Sequence, residues 1–323
     1  MVALLFSLFL VAAPIPKSTY EGRIAFLLHQ TRQSDLVIMT PTGHEILRRK
    51  LTGLEGKPHT VKLVPGGDYA VVSTVSPVWI HIGNGVFQNS TVYLVSLKDD
   101  SKPERLFGDK LRLNWVLTDY PTKILATEID QQQMVKAKSG QKPTKAWTYD
   151  LETRKQKLLA LPPDHSLVDI SANGTTLLST HGLNGKYQTA TIPLKTGKPV
   201  FHSEITSIPL AISRNGGKLF LVENLRSINA NGAINARRTK LVIHNLKTDE
   251  QNSFTLPKDC SSTSCHTFGA DGKHFLIAAY IWSRTGNTVS QSYQIVLYPD
   301  DGHESESIYQ APQNETIGDI DWR

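Results

Sequence analysis

A strand–turn–strand pattern recurs roughly every fifty residues along this sequence, a period typical of propellers and solenoids. Four clear copies span residues 61–72, 167–178, 210–221 and 265–276. Their turns contain Gly-Gly, Asn-Gly or Asp-Gly, which supply the positive φ that tight hairpins need, and their flanks are β-branched or aromatic. A fifth copy, residues 111–128, keeps the strands but replaces the turn with Asp-Tyr-Pro-Thr. The pattern predicts an all-β chain built from repeated hairpins.

A second hairpin follows each of these after a gap of variable length. The second hairpins span residues 91–107, 144–159, 187–202, 239–256 and 292–309. Polar clusters such as Lys195-Thr196-Gly197 interrupt their apolar runs and indicate turns. Two hairpins make one four-stranded blade, the unit of a propeller.

The two ends of the chain complete the count. Residues 23–29, 35–40 and 44–51 resemble strands two to four of a blade that lacks its first strand, and residues 317–322 resemble a lone first strand. Pairing them leaves no unpaired sheet edge between the first and last blades. The sequence therefore predicts a six-bladed β-propeller of four antiparallel strands per blade, closed by the C-terminal strand pairing with the N-terminal blade.

The hairpin turns carry a family resemblance. Ala270-Asp271-Gly272-Lys273 resembles the Ser-Pro-Asp-Gly-Lys turn of TolB-like, WD40-like propeller repeats, and residues 35–43 resemble the strand that follows it. The resemblance implies a stand-alone propeller that lacks both the N-terminal domain of TolB and the hydrolase domain of prolyl-oligopeptidase-like enzymes. For such a propeller it implies protein or polymer binding at one face of the disc.

The first residues predict export. Val2 to Ala13 form an apolar run too short to span a bilayer, with small residues at its end. We therefore predict a signal peptide over residues 1–16, one propeller domain over 17–323, and a periplasmic or secreted protein that is not membrane-embedded. The alternatives are a buried N-terminal strand and a mis-assigned start of the sequence. In an oxidising compartment Cys260 and Cys265 could pair or stay reduced, and both possibilities stay open.

Long connections between the second and third strands all fall on one face of the disc, where loop elaboration usually signals use. They span about residues 75–90, 130–143, 224–238 and 281–291. The last three contain seven Lys or Arg residues and one clear acid, Asp130, on a chain of net charge +6. The predicted partner is a protein or an anionic polymer, bound by a monomer with salt-sensitive affinity. The alternative is that these are merely solvated loop charges. The candidate binding residues are Arg226, Arg237, Arg238, Lys136, Lys138, Arg284 and Trp79.

Two further features have competing interpretations. Trp79 either anchors a partner or belongs to a short strand packed over the blade. An acid lies in each blade-to-blade connection and either caps a turn or joins an axial collar that binds a cation, which would suit a metal-dependent hydrolase or lactonase. These acids are Glu55, Asp109, Asp164, Glu204, Asp259 and Glu315.

Motifs for the common chemistries are missing. The sequence has no Gly-x-Ser-x-Gly elbow, His-Glu-x-x-His, P-loop or dinucleotide fingerprint. It therefore favours a non-enzymatic binding protein without a cofactor. Export disfavours a nucleic-acid partner despite a pI near 9.1.

Overall fold

Six antiparallel sheets stand as blades around a central axis in the computed structural model. The structure describes residues 22–83, 85–111, 113–119, 122–136, 144–162, 165–183, 186–202, 207–223, 234–235, 240–257, 260–285, 288–301 and 304–323. The predicted leader, residues 1–16, lies outside these ranges. In the described residues, no helix has both the length and the apolar character needed to cross a membrane.

Blades 1 to 3 follow one another along the chain, each running from the axis outward. Blade 1 contains β4 (Lys57–Leu63), β5 (Tyr69–Ile82), β6 (Gly85–Ser96) and β7 (Glu104–Leu111). Blade 2 contains β8 (Asn114–Leu117), β9 (Lys123–Ile129), β10 (Thr144–Asp150) and β11 (Gln156–Leu159), with helix α1 (Gln131–Met134) after β9. Blade 3 contains β12 (His165–Ile170), β13 (Thr176–Leu183), β14 (Lys186–Pro193) and β15 (Val200–His202).

Blades 4 to 6 complete the ring. Blade 4 contains β16 (Ile208–Ile212), β17 (Lys218–Glu223), β19 (Lys240–Asn245) and β20 (Gln251–Phe254). Blade 5 contains β21 (Cys260–Phe268), β22 (His274–Thr285), β23 (Thr288–Pro299) and β24 (Glu306–Gln310), and the short β18 (Ile234–Asn235) adds to its inner edge. Blade 6 contains β25 (Thr316–Trp322), β1 (Ile24–His29), β2 (Ser34–Met39) and β3 (Glu45–Lys50).

The last strand closes the ring as the sequence predicts. β25 pairs antiparallel with β1, with Phe26 opposite Ile320 and Ile24 opposite Trp322. Phe26 and Trp322 are fully buried in one apolar cluster. The backbone N–H of Arg323 donates to the carbonyl of Arg23 at 3.0 Å, which extends the ladder to the final residue. Both the six-bladed fold and its closure are confirmed.

Apolar side chains between neighbouring blades form the core. Between blades 4 and 5 the ring of Phe275 lies 4.6 Å from Phe220, 4.9 Å from Phe254 and 5.0 Å from Tyr298, measured between centroids. Such aromatic pairs contribute roughly 0.5–1.5 kcal/mol each beyond the area they bury. The blades are therefore joined by packing of their faces.

The innermost strands are irregular. The pairing of β4, β12, β16, β21 and β25 with the second strand of each blade contains a register shift, for example between Leu167 and Asp169 and between Pro209 and Ala211. A bulge of this kind inserts one residue and re-aims the side chains beyond it. The bulges thus change which side chains point toward the axis.

Several connections predicted as loops contain regular structure. β5 and β6 continue as a paired hairpin through residues 75–90, and β22 and β23 pair from His274 to Pro299. Asp130 caps α1 in the connection of blade 2, because its side-chain oxygen accepts from the backbone N–H groups of Gln132 and Gln133. β-branched and aromatic residues in these segments favour continued pairing over open loops.

Candidate functional site on the long-loop face

The second-to-third strand connections and the blade-to-blade connections share one face of the disc, the long-loop face. On blade 1 the β5–β6 hairpin rises above this face. Ile80 lies opposite Phe87, and Trp79 lies opposite Gln88. Directly opposite residues in an antiparallel pair share one side, and successive residues alternate. One side of the hairpin therefore presents Ile80 and Phe87, and the other presents Trp79.

The inner side of the hairpin packs on blade 2. Phe87 is buried in a cluster with Leu111, Ile129 and Met134 of α1, and Ile80 packs against the same cluster. The hairpin tip fits closely: a Cβ on Gly85 would overlap the Phe87 ring, and one on Gly83 would lie 2.9 Å from the Met134 carbonyl oxygen. Gly83 also has a φ of 56°, which favours glycine, so the hairpin tip lies in close contact with the end of α1.

Three large apolar side chains of the hairpin are open to solvent: Trp79 and Val86 on its outer side, and Val78 in the irregular segment just before the ladder resumes at Trp79. Val78 is 63% exposed, Trp79 is 59% exposed and Val86 is 48% exposed. Val135 follows α1 beside the hairpin tip and is 68% exposed, and the next residue, Lys136, is also exposed. We call Val78, Trp79, Val86, Val135 and Lys136 the hairpin patch. The structure confirms the interpretation of residues 79–82 as a strand packed over the blade, and the role of Trp79 as an anchor for a partner stays a prediction.

The structure places only some of the predicted binding residues. Trp79 and Lys136 come from different blades and lie on adjoining elements, β5 and the turn after α1. Arg284 lies in β22, and its side chain is outside the described residues. Lys138, Arg226, Arg237 and Arg238 are also outside them. A continuous basic groove on this face stays a prediction.

A second exposed tryptophan was missed from the sequence. Trp282 lies in β22 on the extended hairpin of blade 5, opposite Gln291, and is 44% exposed. The reasoning that selects Trp79, an aromatic residue in a long connection on the long-loop face, would also have selected Trp282. Two of the extended hairpins therefore present tryptophan.

The predicted acidic collar is not assembled from the residues that can be placed. Glu55 and Asp109 are both exposed and share Arg105, whose guanidinium lies 3.4 Å and 3.2 Å from their carboxylates. Glu315 accepts from Gln30 at 2.9 Å. Asp164, Glu204 and Asp259 lie outside the described residues. No group of three or more His, Cys, Asp or Glu side chains in the described residues could hold a metal ion, so the metal-dependent hydrolase has no ligand set there.

The axial channel contains a charge network that the sequence did not reveal. A cavity of about 260 Å³ is lined by Lys62, Asp169, Asp319 and Asp321 from the innermost strands, together with the buried ring of His266. The Lys62 ammonium lies 3.6 Å from Asp321 and 3.8 Å from Asp319. Burial opposes the charged form of Lys62, but these carboxylates outweigh it and raise the pKa of the amine.

The three channel carboxylates each accept a backbone N–H from the innermost strand of the next blade, and Asp319 accepts that of Val61 at 3.0 Å. Asp321 accepts the N–H of Leu63 at 2.8 Å, and Asp169 accepts the N–H of Ile212 at 3.0 Å, in each case from the innermost strand of the next blade. Their pKa values shift in opposite directions. Burial raises the pKa of Asp169, whereas for Asp321 the charges of Arg323 and Lys62 outweigh burial and lower it. Asp169 has no Lys or Arg nitrogen within 4 Å among the described residues.

The C-terminal residue ties the ring together at the opposite, short-turn face. The Arg323 guanidinium donates to Asp321 at 3.0 Å, to the carbonyl of Leu117 at 2.8 Å and to Asp119 of blade 2. Asp119 also accepts from Arg214 of blade 4. Blades 2, 4 and 6 are therefore linked across the axis by charge-assisted hydrogen bonds.

The carboxylates of this network are satisfied by groups within the network itself. Each carboxylate is satisfied by backbone N–H groups or by a cation, and Asp119 and Asp321 each contact a guanidinium. Side chains arranged in this way stabilise the ring. We therefore place the candidate binding site on the long-loop face.

Comparison with known proteins supports the fold. No protein-family model matches the sequence, and no curated protein matches it. TolB from Acinetobacter baumannii matches 94% of this chain and 67% of its own, with 15% identity and a TM-score of 0.62. A putative TolB from Agrobacterium tumefaciens matches 93% of this chain and 98% of its own, with 12% identity and a TM-score of 0.54. A chain in a nidogen/laminin complex matches 92% of this chain and 97% of its own, with 8% identity and a TM-score of 0.55. At such identities the likeness concerns architecture alone, and the chain has the TolB-like six-bladed β-propeller fold.

Proposed function

We propose that this chain is an exported, non-enzymatic propeller that binds a partner protein at the hairpin patch of its long-loop face. The observation that carries the proposal is Trp79, exposed on a hairpin whose other side is packed against blade 2. Exposed aromatic side chains on rigid supports are typical anchors of protein interfaces, since little conformational entropy is lost when they are buried.

Charge favours a partner with an acidic contact surface. Residues 76–88 contain no Asp or Glu, and Lys136 begins a segment that also carries Lys138 and Lys142 in sequence. Asp130, the acid nearest to it, already caps α1. A tryptophan anchor beside these lysines suits an apolar side chain of the partner flanked by Asp or Glu. Arg226, Arg237, Arg238 and Arg284, in the connections of blades 4 and 5, are proposed as a second basic contact region on the same face, across the disc from the hairpin patch.

The test uses affinity capture followed by titration of the captured partner. Trp79→Ala should weaken binding by about 2 kcal/mol or more, about thirtyfold, as for other aromatic anchors. Leu158→Ala is the matched control, because Leu158 is 82% exposed on the outer strand of blade 2, away from the patch. An equal affinity for the two variants would refute the role of Trp79.

The electrostatic part is tested separately. Lys136→Glu should weaken binding and reduce its dependence on salt, since exposed charges are screened over about 10 Å at 0.1 M ionic strength. Lys157→Glu, an exposed lysine on β11, makes the same charge change elsewhere. Arg237→Glu with Arg238→Glu tests the extended basic surface. If these charge reversals leave capture of the partner unchanged at all salt concentrations, the proposal of an acidic contact surface on the partner is wrong.

A further inference from the structure

A second concavity on the long-loop face lies between blades 5 and 6. Its volume is about 680 Å³, within the roughly 300–1,000 Å³ that small-molecule sites occupy. It is built from the start of β23, the end of β24 and the connection that leads into β25. The cleft is thus separate from the hairpin patch on blades 1 and 2.

Neutral hydrogen-bonding side chains dominate the lining of this cleft. Side-chain amides both donate and accept, as do hydroxyl groups. No Lys or Arg is among the lining residues. The amides and hydroxyls that line it include Gln291, Gln310, Gln313, Asn314, Ser290 and Ser292. Such a lining suits a ligand whose groups also both donate and accept.

Two tyrosines form the aromatic part of the wall. The rings of Tyr280 on β22 and Tyr293 on β23 lie 4.9 Å apart between centroids at 39°, and both are partly exposed. Tyrosine presents an apolar ring face and a polar hydroxyl in one side chain. A ligand with C–H groups on its faces and hydroxyls at its edges can use both.

Glu315 supplies one unmet acceptor. Its Oε1 accepts from Gln30 at 2.9 Å, whereas Oε2 is buried with no hydrogen-bond partner among the described residues. The turn that carries it is fixed, because the N–H of Glu315 donates to Pro312 at 3.1 Å and Asn314 has a φ of 69°. Glu315 thus adds a carboxylate to the lining of the cleft, with no Lys or Arg beside it in that lining.

We propose that this cleft binds a saccharide, either neutral or bearing amino groups. Sugar rings combine apolar faces with hydroxyls that donate and accept, which matches the tyrosine pair and the amides. The carboxylate of Glu315 and the lack of lining Lys or Arg disfavour an anionic polymer. Peptide grooves generally offer a strand edge or apolar side-chain pockets, and the described lining consists chiefly of polar side chains.

The experiment is calorimetric titration of the full chain with chitotriose, its fully deacetylated form and cellotriose. Trigalacturonate serves as the anionic control and trialanine as the peptide control. At least one neutral or amino trisaccharide should bind, and trigalacturonate should bind at least tenfold more weakly. Tyr293→Ala and Gln291→Ala should each reduce the affinity about tenfold, or 1.4 kcal/mol.

Matched controls separate the cleft from the rest of the molecule. Gln291 is exposed, so its variant tests binding even where Tyr293→Ala alters stability. Tyr69→Ala removes an exposed tyrosine on blade 1 and should leave sugar affinity unchanged, as should Trp79→Ala. The proposal is overturned if no neutral or amino sugar binds at millimolar concentration, if trialanine binds instead, or if Gln291→Ala binds like the parent chain.

Discussion

Asp169 and Asp321 offer a matched pair of substitutions that tests the channel network. Both carboxylates accept a backbone N–H from the next blade with nearly equal geometry, 3.0 Å and 2.8 Å. They differ in charge environment, since Asp321 contacts Arg323 and Lys62, whereas burial dominates at Asp169. Asn keeps one acceptor oxygen and removes the charge. Each carboxylate also uses its second oxygen, Asp169 for the N–H of Ile170 at 2.8 Å and Asp321 toward Lys62, so each substitution loses one such contact. Comparing Asp169→Asn with Asp321→Asn therefore shows what the charge contributes beyond these contacts.

Asp321→Asn should destabilise the fold. Removing one partner of a buried ion pair costs about 3–5 kcal/mol because the remaining charge is left uncompensated. Arg323 keeps Asp119 and Lys62 keeps Asp319, so we take the lower end, about 3 kcal/mol. With an unfolding entropy of ~2.1 cal/mol/K per residue over about 300 residues, this lowers the melting temperature by about 5 °C. Asp169→Asn should change stability by less than about 1 kcal/mol at pH 7, because it removes a charge that burial already disfavours.

The directions of the two pKa shifts determine how the stability of each variant should change with pH. The pKa of Asp321 is lowered on folding, so its stabilisation is present above the unfolded pKa of about 3.9 and is lost as pH falls through the lower folded value. The pKa of Asp169 is raised on folding. Below about pH 3.9, the unfolded pKa, its neutral carboxyl does not oppose folding, and stability is lost as pH rises through the folded pKa and the buried group ionises. Asp169→Asn should therefore gain stability relative to the parent chain between pH 4 and 7.

Urea unfolding followed by tryptophan fluorescence, from pH 3 to 8, measures both variants. The parent chain and Asp321→Asn should converge in unfolding free energy at the acidic end, whereas the parent chain and Asp169→Asn should diverge as pH rises. Equal destabilisation by the two substitutions at pH 7 would show that the N–H contacts, and not the charges, hold the innermost strands together. That result would refute the electrostatic reasoning.

Two further predictions concern the hairpin and the leader. Phe87→Ala should leave a cavity between the hairpin and α1 and lower the free energy of unfolding by about 3–5 kcal/mol where the site does not collapse. Limited proteolysis within residues 76–88 should then be faster than in the parent chain. An unchanged cleavage rate would mean that the hairpin does not depend on this packing. Mass spectrometry of the chain recovered outside the cytoplasm should find that it begins within residues 14–17. Recovery of the intact N-terminus would refute the predicted signal peptide.

The blades were predictable because their determinants are local. Turns such as Asn215-Gly216 fix a hairpin by their backbone conformation, and Gly216 has a φ of 75° as such a turn requires. Closure followed from counting strands at the two ends, which the Phe26–Ile320 pairing confirms. Neither inference needs knowledge of how side chains pack between blades.

The channel charges were not predictable in the same way. The side of a sheet to which a side chain points is predicted from the alternation of residues along the strand, and a one-residue bulge reverses that side. A bulge between Leu167 and Asp169, and another that shifts β25 against β1 between Phe26 and Leu28, precede the channel carboxylates. In sequence Asp169 and Asp321 resemble ordinary solvent-facing positions beside turns. The tyrosines of the blade 5 cleft were missed for another reason: Tyr280 and Tyr293 meet only through the register of β22 and β23.

The position of the charge network explains how binding surfaces on this fold can vary. Asp119 and Arg214 belong to first hairpin turns of the short-turn face, and Arg323 joins them there, so the contacts that cross the axis lie away from the long connections. Trp79 and Trp282 lie on hairpins that extend the blades beyond the ring at the other face. Because sites that share no partners contribute additively to stability, residues of those hairpins can change without loosening the network. The contacts across the axis at the short-turn face should therefore persist when the hairpins of the proposed binding face are substituted.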